Sequence, residues 1–427
     1  MILKYISIPM LDFSASWNNG WKKISALKSF DKYMTLFWFM GPFIYLIERD
    51  VADLWLSTIV IMFLYKSFRI NSWSWIYQSW FKFVLLFWIY ILLASTIAFD
   101  PLTSFIKSFV WIRFPLYAVA AQCWIAKDRD IRIMMLISLS LGLLIMCCIL
   151  LTEIIIDPKE RLVWPYNDAM TGAYMVKLGM PISIIIFIAA TYKVNKKRLL
   201  YILMSVFEHL MTIFTGERMH TILKICSNIL GSLFYKPRFV LLFTAYLTIL
   251  LGVLLIFTNN KQISERFSSL ITESPVSFIY SDSSTSTYWG AWRSGIQLGL
   301  NNPIFGSGVQ SNRHLCSTLD ERDTPFLPGK NFCGNHPHNY YIQLFSETGL
   351  VGLLLGTLMF LSIIKSCYDM RKLNTECPMA MTCFIIPLAI FFPFQQFGNF
   401  FGQWGNLFVW FAIGFATCQI QVSKKLS

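Results

Sequence analysis

Charge is what this sequence has least of. Only 14% of its 427 residues are Asp, Glu, Lys or Arg, where a soluble chain carries about 25%. Together with 56% apolar residues, that scarcity excludes a disordered chain, a fibrous chain and an ordinary water-soluble enzyme. Several chemical motifs are missing as well. There is no P-loop, no Gly-rich dinucleotide fingerprint and no Gly-x-Ser-x-Gly elbow, so an ATPase, a dinucleotide-dependent redox enzyme and an elbow-type serine hydrolase are set aside. No sustained repeat, heptad or low-complexity tract is present. Residues 1–10 hold one Lys, a broken apolar run and no small-residue cleavage site, so no cleavable signal peptide is expected.

What the sequence has instead is apolar runs. Strong ones are Phe83–Phe99, Ser108–Ala126, Ile133–Ile156, Ala169–Ala190, Leu199–Phe214, Phe239–Thr258, Tyr340–Ile364, Met379–Phe394 and Phe397–Ile420. Weaker ones are Met34–Ile47, Val51–Tyr65 and Met219–Phe234. The weak runs fall short of the roughly 20 residues that cross a bilayer, and they also fit buried or re-entrant helices. The fold class read from this pattern is all-α: a polytopic integral membrane protein with about twelve transmembrane helices and one large periplasmic loop. The 17% of aromatic residues are expected at the membrane interfaces.

The net charge of +13 would fit a nucleic-acid partner, but its placement argues for sidedness. Twenty-two of the 36 Lys and Arg fall in alternate short loops and at both ends of the chain, among them Lys22, Lys23, Lys66, Lys127, Arg198, Lys236, Lys365 and Lys424. The intervening short loops hold only Arg49, Lys159, Arg161 and Arg218. By the positive-inside rule the first set and both termini are cytoplasmic, next to anionic headgroups. No nucleic-acid partner is expected.

One connection is far longer than the others. Residues 259–337 separate two strong spans and carry six basic and six acidic residues, for a net charge of zero. Structureless loops of this length are uncommon and usually functional. The expected organisation is therefore helices over 1–258, a periplasmic loop domain over 259–337, and further helices over 338–427. Within the loop, Tyr288–Leu300 is expected as a helix lying on the membrane. The loop also holds Cys316 and Cys333. Closing about 17 residues in an oxidising compartment, they are expected as a disulfide worth roughly 3 kcal/mol. The rival reading is zinc held by His314, Cys316, Cys333, His336 and His338, although the spacing fits no common zinc pattern.

Polar residues near spans carry the chemistry that remains. In His336-Pro337-His338-Asn339-Tyr340-Tyr341, Pro337 is expected to start a helix with His338 in its first turn. The helix dipole would then favour a neutral imidazole, as a general base requires; the alternative is an interfacial His bonded to loop backbone. In Thr215-Gly216-Glu217-Arg218-Met219-His220, the helix start and guanidinium suit a phosphate, or Glu217 and Arg218 simply pair. Trp292-Arg293 reads either as an anion contact or as a solvated Arg beside an interfacial Trp. Arg161 to Lys177, with Trp164-Pro165-Tyr166-Asn167-Asp168, suggests a broken or re-entrant segment, or a turn followed by a Lys177–Glu153 pair.

Together these residues resemble the O-antigen ligase and polymerase superfamily of bacterial surface-polysaccharide enzymes. The resemblance rests on His338-Asn339 with Glu347-x-Gly349 downstream, directly after a large outer loop. Arg293 followed by Pro303-Ile304-Phe305-Gly306-Ser307-Gly308 is similar to the family's Arg…Pro-x-x-Gly-x-Gly stretch. Thr215-Gly216-Glu217-Arg218 looks like its Ser-Arg element, with Glu217 in place of Ser, and Tyr166-Asn167 is similar to its Asn-Pro-Asn element. The resemblance implies transfer of a glycan from undecaprenyl pyrophosphate to a hydroxyl of lipid A–core, at the periplasmic face of the bacterial inner membrane. It implies His338 as base, Arg218 and Arg293 as pyrophosphate-binding residues, and Asn339, Glu347, Asn167, Arg161 and Lys177 as substrate contacts, with no metal and no cofactor. Polymerases and protein O-oligosaccharyltransferases of the superfamily use other acceptors. A transporter of lipid-linked sugars is a rival from a different class, because Lys107, Arg113, Glu153, Lys177, Glu208 and Lys224 lie in or near spans.

Overall fold

A computed structural model describes residues 13–157, 159, 161–168, 171–183, 198–233, 247, 249–250, 252, 284–319, 329–373, 383–393 and 398–418. Most of the Phe239–Thr258 span lies outside the described residues. So do 184–197 and the 253–283 and 320–328 stretches that contain much of the long loop.

The described residues are all-helical, with 78% in helix and none in strand. In chain order the helices used below are α1 (Phe13–Ser25), α2 (Ser29–Phe39), α3 (Gly41–Ile44), α4 (Arg49–Arg69), α5 (Ser79–Ala94), α6 (Pro101–Trp111), α7 (Arg113–Ala120), α8 (Arg129–Ile156), α9 (Arg198–Phe214), α10 (Arg218–Leu233), α11 (Ser284–Asn301), α12 (Tyr340–Leu373), α13 (Ile385–Ile390) and α14 (Gln403–Cys418). Among the described residues four helices are long and apolar enough to cross a membrane: Arg49–Arg69, Ser79–Ile97, Arg129–Ile156 and Tyr340–Asp369. Large apolar side chains such as Leu54, Ile61, Leu93, Ile155, Leu354 and Leu361 point outward. Water would not tolerate so much exposed apolar surface, whereas lipid does. The chain is a helical membrane protein.

Several expected spans take a different form, among them the next two. Val51–Tyr65, short as an apolar run, sits in the full-length α4, because polar residues at both ends continue the helix: Glu48 caps it through the Arg49 N–H, and Lys66 and Arg69 close it. Ser108–Ala126 is divided between the end of α6, α7 and a π-helical turn at Ala121–Ile125, with Pro115 inside α7. Proline cannot donate to the helical ladder and disfavours a straight run.

The aromatic residues also have a role beyond the interfaces. Tyr45, Trp55, Trp111, Tyr117, Phe400, Phe408, Trp410 and Phe411 form a buried core, with tilted and edge-on contacts such as Trp55–Tyr117 at 5.5 Å and Tyr45–Phe408 at 5.2 Å. Burial is tolerated because each polar tip finds a partner. Tyr45 donates to the Leu407 carbonyl (2.9 Å), Trp38 to the Tyr117 hydroxyl (2.9 Å) and Trp111 to the Phe400 carbonyl (3.2 Å).

At the start of α8, Asp128 accepts from the Asp130 N–H at 2.8 Å and from Lys23 of α1 at 2.9 Å. Burial opposes ionisation of Asp128, yet these partners outweigh it and hold its carboxyl below the ordinary range. A depressed carboxylate stabilises the fold above its ordinary pKa, and that stability is lost as pH falls through it. Acidification from neutral to about pH 3 is expected to lower the wild-type Tm more steeply than that of Asp128→Asn, which keeps a capping side chain. Equal slopes would remove this ion pair from the stability of the protein.

Candidate functional site

The site is built on the start of α12. Asn339 caps that helix, its Oδ1 accepting from the Tyr341 and Ile342 N–H groups at 2.9 and 3.2 Å, as an N-cap residue does. Its Nδ2 donates to the Pro393 carbonyl at 2.6 Å. Both ends of this amide are engaged by the protein, so Asn339 positions the helix. His338 stands one residue before the cap at φ 55, outside the first helical turn where it was expected. There the helix dipole bears only weakly on the imidazole, since it acts chiefly within that turn. The His338 ring is half-buried, edge-on to Tyr288 at 5.5 Å and beside His336 at 4.2 Å between centroids.

The apolar run read as one span, Tyr340–Ile364, is interrupted. Gly349 has φ 68 and ψ −171, and the break leaves helix-end groups that need partners. The 303–310 loop supplies them. Ser307 and Gly308 N–H groups donate to the Ser346 and Glu347 carbonyls at 3.0 and 2.9 Å, and the Leu350 N–H donates to the Pro303 carbonyl at 2.8 Å. The approach is close enough that a Cβ on Gly349 would lie 2.2 Å from the Ile304 carbonyl oxygen, and one on Gly306 would lie 2.4 Å from Glu347 backbone. The Pro-x-x-Gly-x-Gly stretch (Pro303–Gly308) and the Glu-x-Gly stretch (Glu347–Gly349), well apart in sequence, are thus two halves of one unit.

Glu347 is 1% exposed. Its Oε2 accepts from the Gln310 N–H at 2.8 Å and its Oε1 from Gln343 at 3.2 Å. The carboxylate shapes the loop and is not open to the substrate contact expected of it. Gln343 also reaches Asn399 (2.8 Å) and accepts from the Phe400 N–H (2.8 Å). The sequence signal for Gln343 is its place four residues before Glu347, which puts both on one helical face.

Arg293 lies on α11, which packs along α12 and is not an isolated surface helix. Gly295 makes room for Pro337 and Ile342. Arg293 is 2% exposed, so the solvated reading fails. Its Nη1 donates to Asn331 Oδ1 at 2.5 Å, and Asn331 donates to Gln297 at 2.9 Å. Cys316 and Cys333 are joined in a disulfide, S–S 2.05 Å, beside this segment. A disulfide has no thiolate to offer, which takes two of five donors from the zinc set. Among the described residues no group of three or more His, Cys, Asp or Glu is gathered for a metal ion.

A second group surrounds Glu217. Its carboxylate pairs with Arg161 and meets His220 Nδ1 at 3.0 Å; the partner is not its neighbour Arg218, because adjacent residues at a helix start point apart. Arg161 and Lys177 are the cations facing His220. Lys177 is buried in a π-helical turn, Tyr174–Leu178, and Arg218 is buried at the first position of α10. Glu153, the alternative partner for Lys177, accepts instead from the Val163 and Trp164 N–H groups, both at 2.9 Å. Asn167 is exposed in a turn at φ 49. The structure therefore pairs Arg161 with Glu217 and sets Arg161 and Lys177 beside His220, at the start of the helix that Arg218 opens, and it gathers Arg293, His338 and the Glu347 loop about the start of α12. The helix that carries Arg218, α10, and the helix that follows His338, α12, both pack on α13. Chemically the first group holds more cations than carboxylates, a balance that suits an anion, and the second offers a half-buried imidazole.

The sequence matches no protein-family model and no curated protein.

Proposed function

We propose that the chain is a bacterial inner-membrane glycosyltransferase of the O-antigen ligase type, with about twelve spans, cytoplasmic termini and a site facing the periplasm. The observation that carries this reading is the single unit made by Arg293, the 303–310 loop and the His338–Gly349 segment. Those are the stretches that resemble the superfamily, and they are packed on one another. The donor is a glycan on undecaprenyl pyrophosphate, and the acceptor is a hydroxyl of lipid A–core.

In this reading the acceptor oxygen attacks the anomeric carbon from the face opposite the pyrophosphate. A new glycosidic bond forms as the bond to pyrophosphate breaks, and the anomeric centre inverts. His338 takes the hydroxyl proton, a step worth about 10²–10⁴-fold. Arg218 and Arg293 oppose the charge that grows on the departing pyrophosphate, an electrostatic contribution that strengthens in dry surroundings. Arg161 and Lys177 add positive charge near Arg218. Guanidinium pairs meet pyrophosphate in the bidentate geometry that favours them over ammonium groups.

Purified protein in detergent is expected to move glycan from the lipid-linked donor to lipid A–core, and a deletion strain to accumulate lipid-linked polymer with bare core. A deletion strain that carries a single repeat on its core would assign the polymerase reaction instead. No transfer to any hydroxyl acceptor would remove the reading. Arg218→Ala and Arg293→Ala are expected to reduce turnover by about 10²–10³-fold, the loss seen when one charge-stabilising donor is removed. Unchanged turnover in both would refute the clamp.

A further inference from the structure

The four described helices long enough to cross a membrane each bring one end to the same place. The end of α4, the starts of α5 and α8 and the later turns of α12 surround a cavity of about 650 Å³, a size that suits a small ligand. From Tyr340, beside His338, to Ser366 on the cavity wall, α12 covers about 39 Å of helix, more than the roughly 30 Å of hydrocarbon in a bilayer. Cavity and candidate site thus lie at opposite faces of the membrane. The basic residues on and around the cavity, Lys66, Arg69, Lys82 and Lys127, mark its face as the cytoplasmic one.

The walls are aromatic, with Phe63, Trp75, Trp80 and Trp124 lining the space. The indole N–H groups are held by the protein: Trp75 donates to Ser67 at 3.2 Å, Trp80 to Gln78 and Gln122 at 3.0 and 3.3 Å, and Trp124 to Asp31 at 2.7 Å. Three carboxylates also line it, and each is matched by a cation, Asp31 by Lys66, Asp128 by Lys23 and Asp369 by Lys365. Lys127, exposed on the wall, is in no ion pair among the described residues, so the balance is one positive charge. Two further donors are open. Gln78, at the cap of α5, makes no side-chain bond to the helix, and the Ser79 and Trp80 N–H groups have no partner among the described residues. Gln122 is 1% exposed; its Oε1 takes the bond from Trp80, while its Nε2 has no partner among the described residues. An uncapped helix start, a buried amide donor and an unmatched cation together suit an anion, and a phosphate above all.

We propose that this cavity binds the headgroup of an anionic glycerophospholipid from the cytoplasmic leaflet. The phosphate takes the donors at the start of α5 and the Gln122 amide, with Lys127 opposing its charge. The glycerol and the first methylenes lie against Phe63, Trp75 and Trp124, and the chains leave past Ile70, an exposed apolar residue on the wall. A water-soluble phosphate would use the same polar groups. The aromatic walls and the place at the ends of four spanning helices favour the lipid, as basic cavities between spanning helices at this face do. The site shares no residue with glycan transfer and needs neither donor nor acceptor.

The test is native mass spectrometry of the full chain in detergent, titrated with phosphatidylglycerol or with phosphatidylcholine of the same chains. One phosphatidylglycerol is expected to bind several-fold more tightly than phosphatidylcholine. Lys127→Ala is expected to weaken it about fivefold, the worth of one basic residue against an anionic headgroup. Gln122→Leu changes no charge and leaves Trp80 its bond to Gln78, and it is expected to weaken phosphatidylglycerol several-fold as well. Lys22→Ala, exposed on α1 and off the cavity wall, is expected to bind as the wild type does. Equal binding of the two lipids overturns the proposal. Full binding by Gln122→Leu beside weaker binding by Lys127→Ala overturns it too, because the lipid would then be held by surface charge outside the cavity. Glycerol 3-phosphate displacing phosphatidylglycerol at equal concentration would assign the cavity to a soluble phosphate and overturn the lipid. No glycan is present in these measurements, so their failure leaves the transfer reading as it stands.

Discussion

His338→Asn should lower glycan transfer by about 10²–10⁴-fold, the range lost with a general base, with little change in Tm. Asparagine is the informative replacement because His338 has φ 55, a left-handed backbone that Asn tolerates better than other non-glycine residues. His338→Ala should lose the same activity and melt somewhat below His338→Asn, since alanine is found less readily than Asn or His in that region. The pair separates the imidazole's chemistry from the backbone it sits on. Transfer rates and thermal melts in detergent read both. Wild-type transfer by either variant would remove His338 as the base, and the half-buried ring against Tyr288 and His336 would then be an interfacial contact.

Gly349→Ala is expected to undock the 303–310 loop. At φ 68 and ψ −171 a non-glycine residue is strained by about 1–3 kcal/mol. The new methyl would also lie 2.2 to 2.6 Å from the Ile304 carbonyl and the Phe305 nitrogen. These are backbone atoms, so no rotamer change relieves the clash. Undocking would break the bonds from Leu350 to Pro303 and from Gly308 to Glu347 and would strand the buried Glu347 carboxylate. A fall in Tm with loss of transfer is expected. Gly398→Ala is the control, because a Cβ there meets nothing within 4 Å, and it should behave as wild type. If the two variants melt alike, the loop does not depend on the break in α12.

How much could be read in advance differs from residue to residue. Helical architecture and membrane residence follow from composition and apolar runs, because lipid leaves a spanning chain few ways to satisfy its backbone. The Cys316–Cys333 bond was legible from the pairing of two cysteines, 17 residues apart, in the one long loop. Near the site, the sequence singled out His338, Arg293 and the paired Gly motifs, each by residue type and spacing. It did not reveal that Asn339 is a cap, that Glu347 is occupied by Gln310 and Gln343, or that Glu217 pairs with Arg161 across 56 positions. Those partners are distant in sequence, and a polar side chain near a span reads the same whether it faces a substrate or another part of the chain.

The sequence by itself thus determined the solvent this protein lives in and the short list of polar residues able to do chemistry there. Helix periodicity and the hydrophobic effect act locally, within a few turns, and so are legible without a fold. Tertiary structure alone decided where α12 breaks, which loop satisfies the broken ends, and which charged residues come together. Hydrogen bonds and ion pairs are short-ranged and directional, so their partners are chosen only once distant segments have packed.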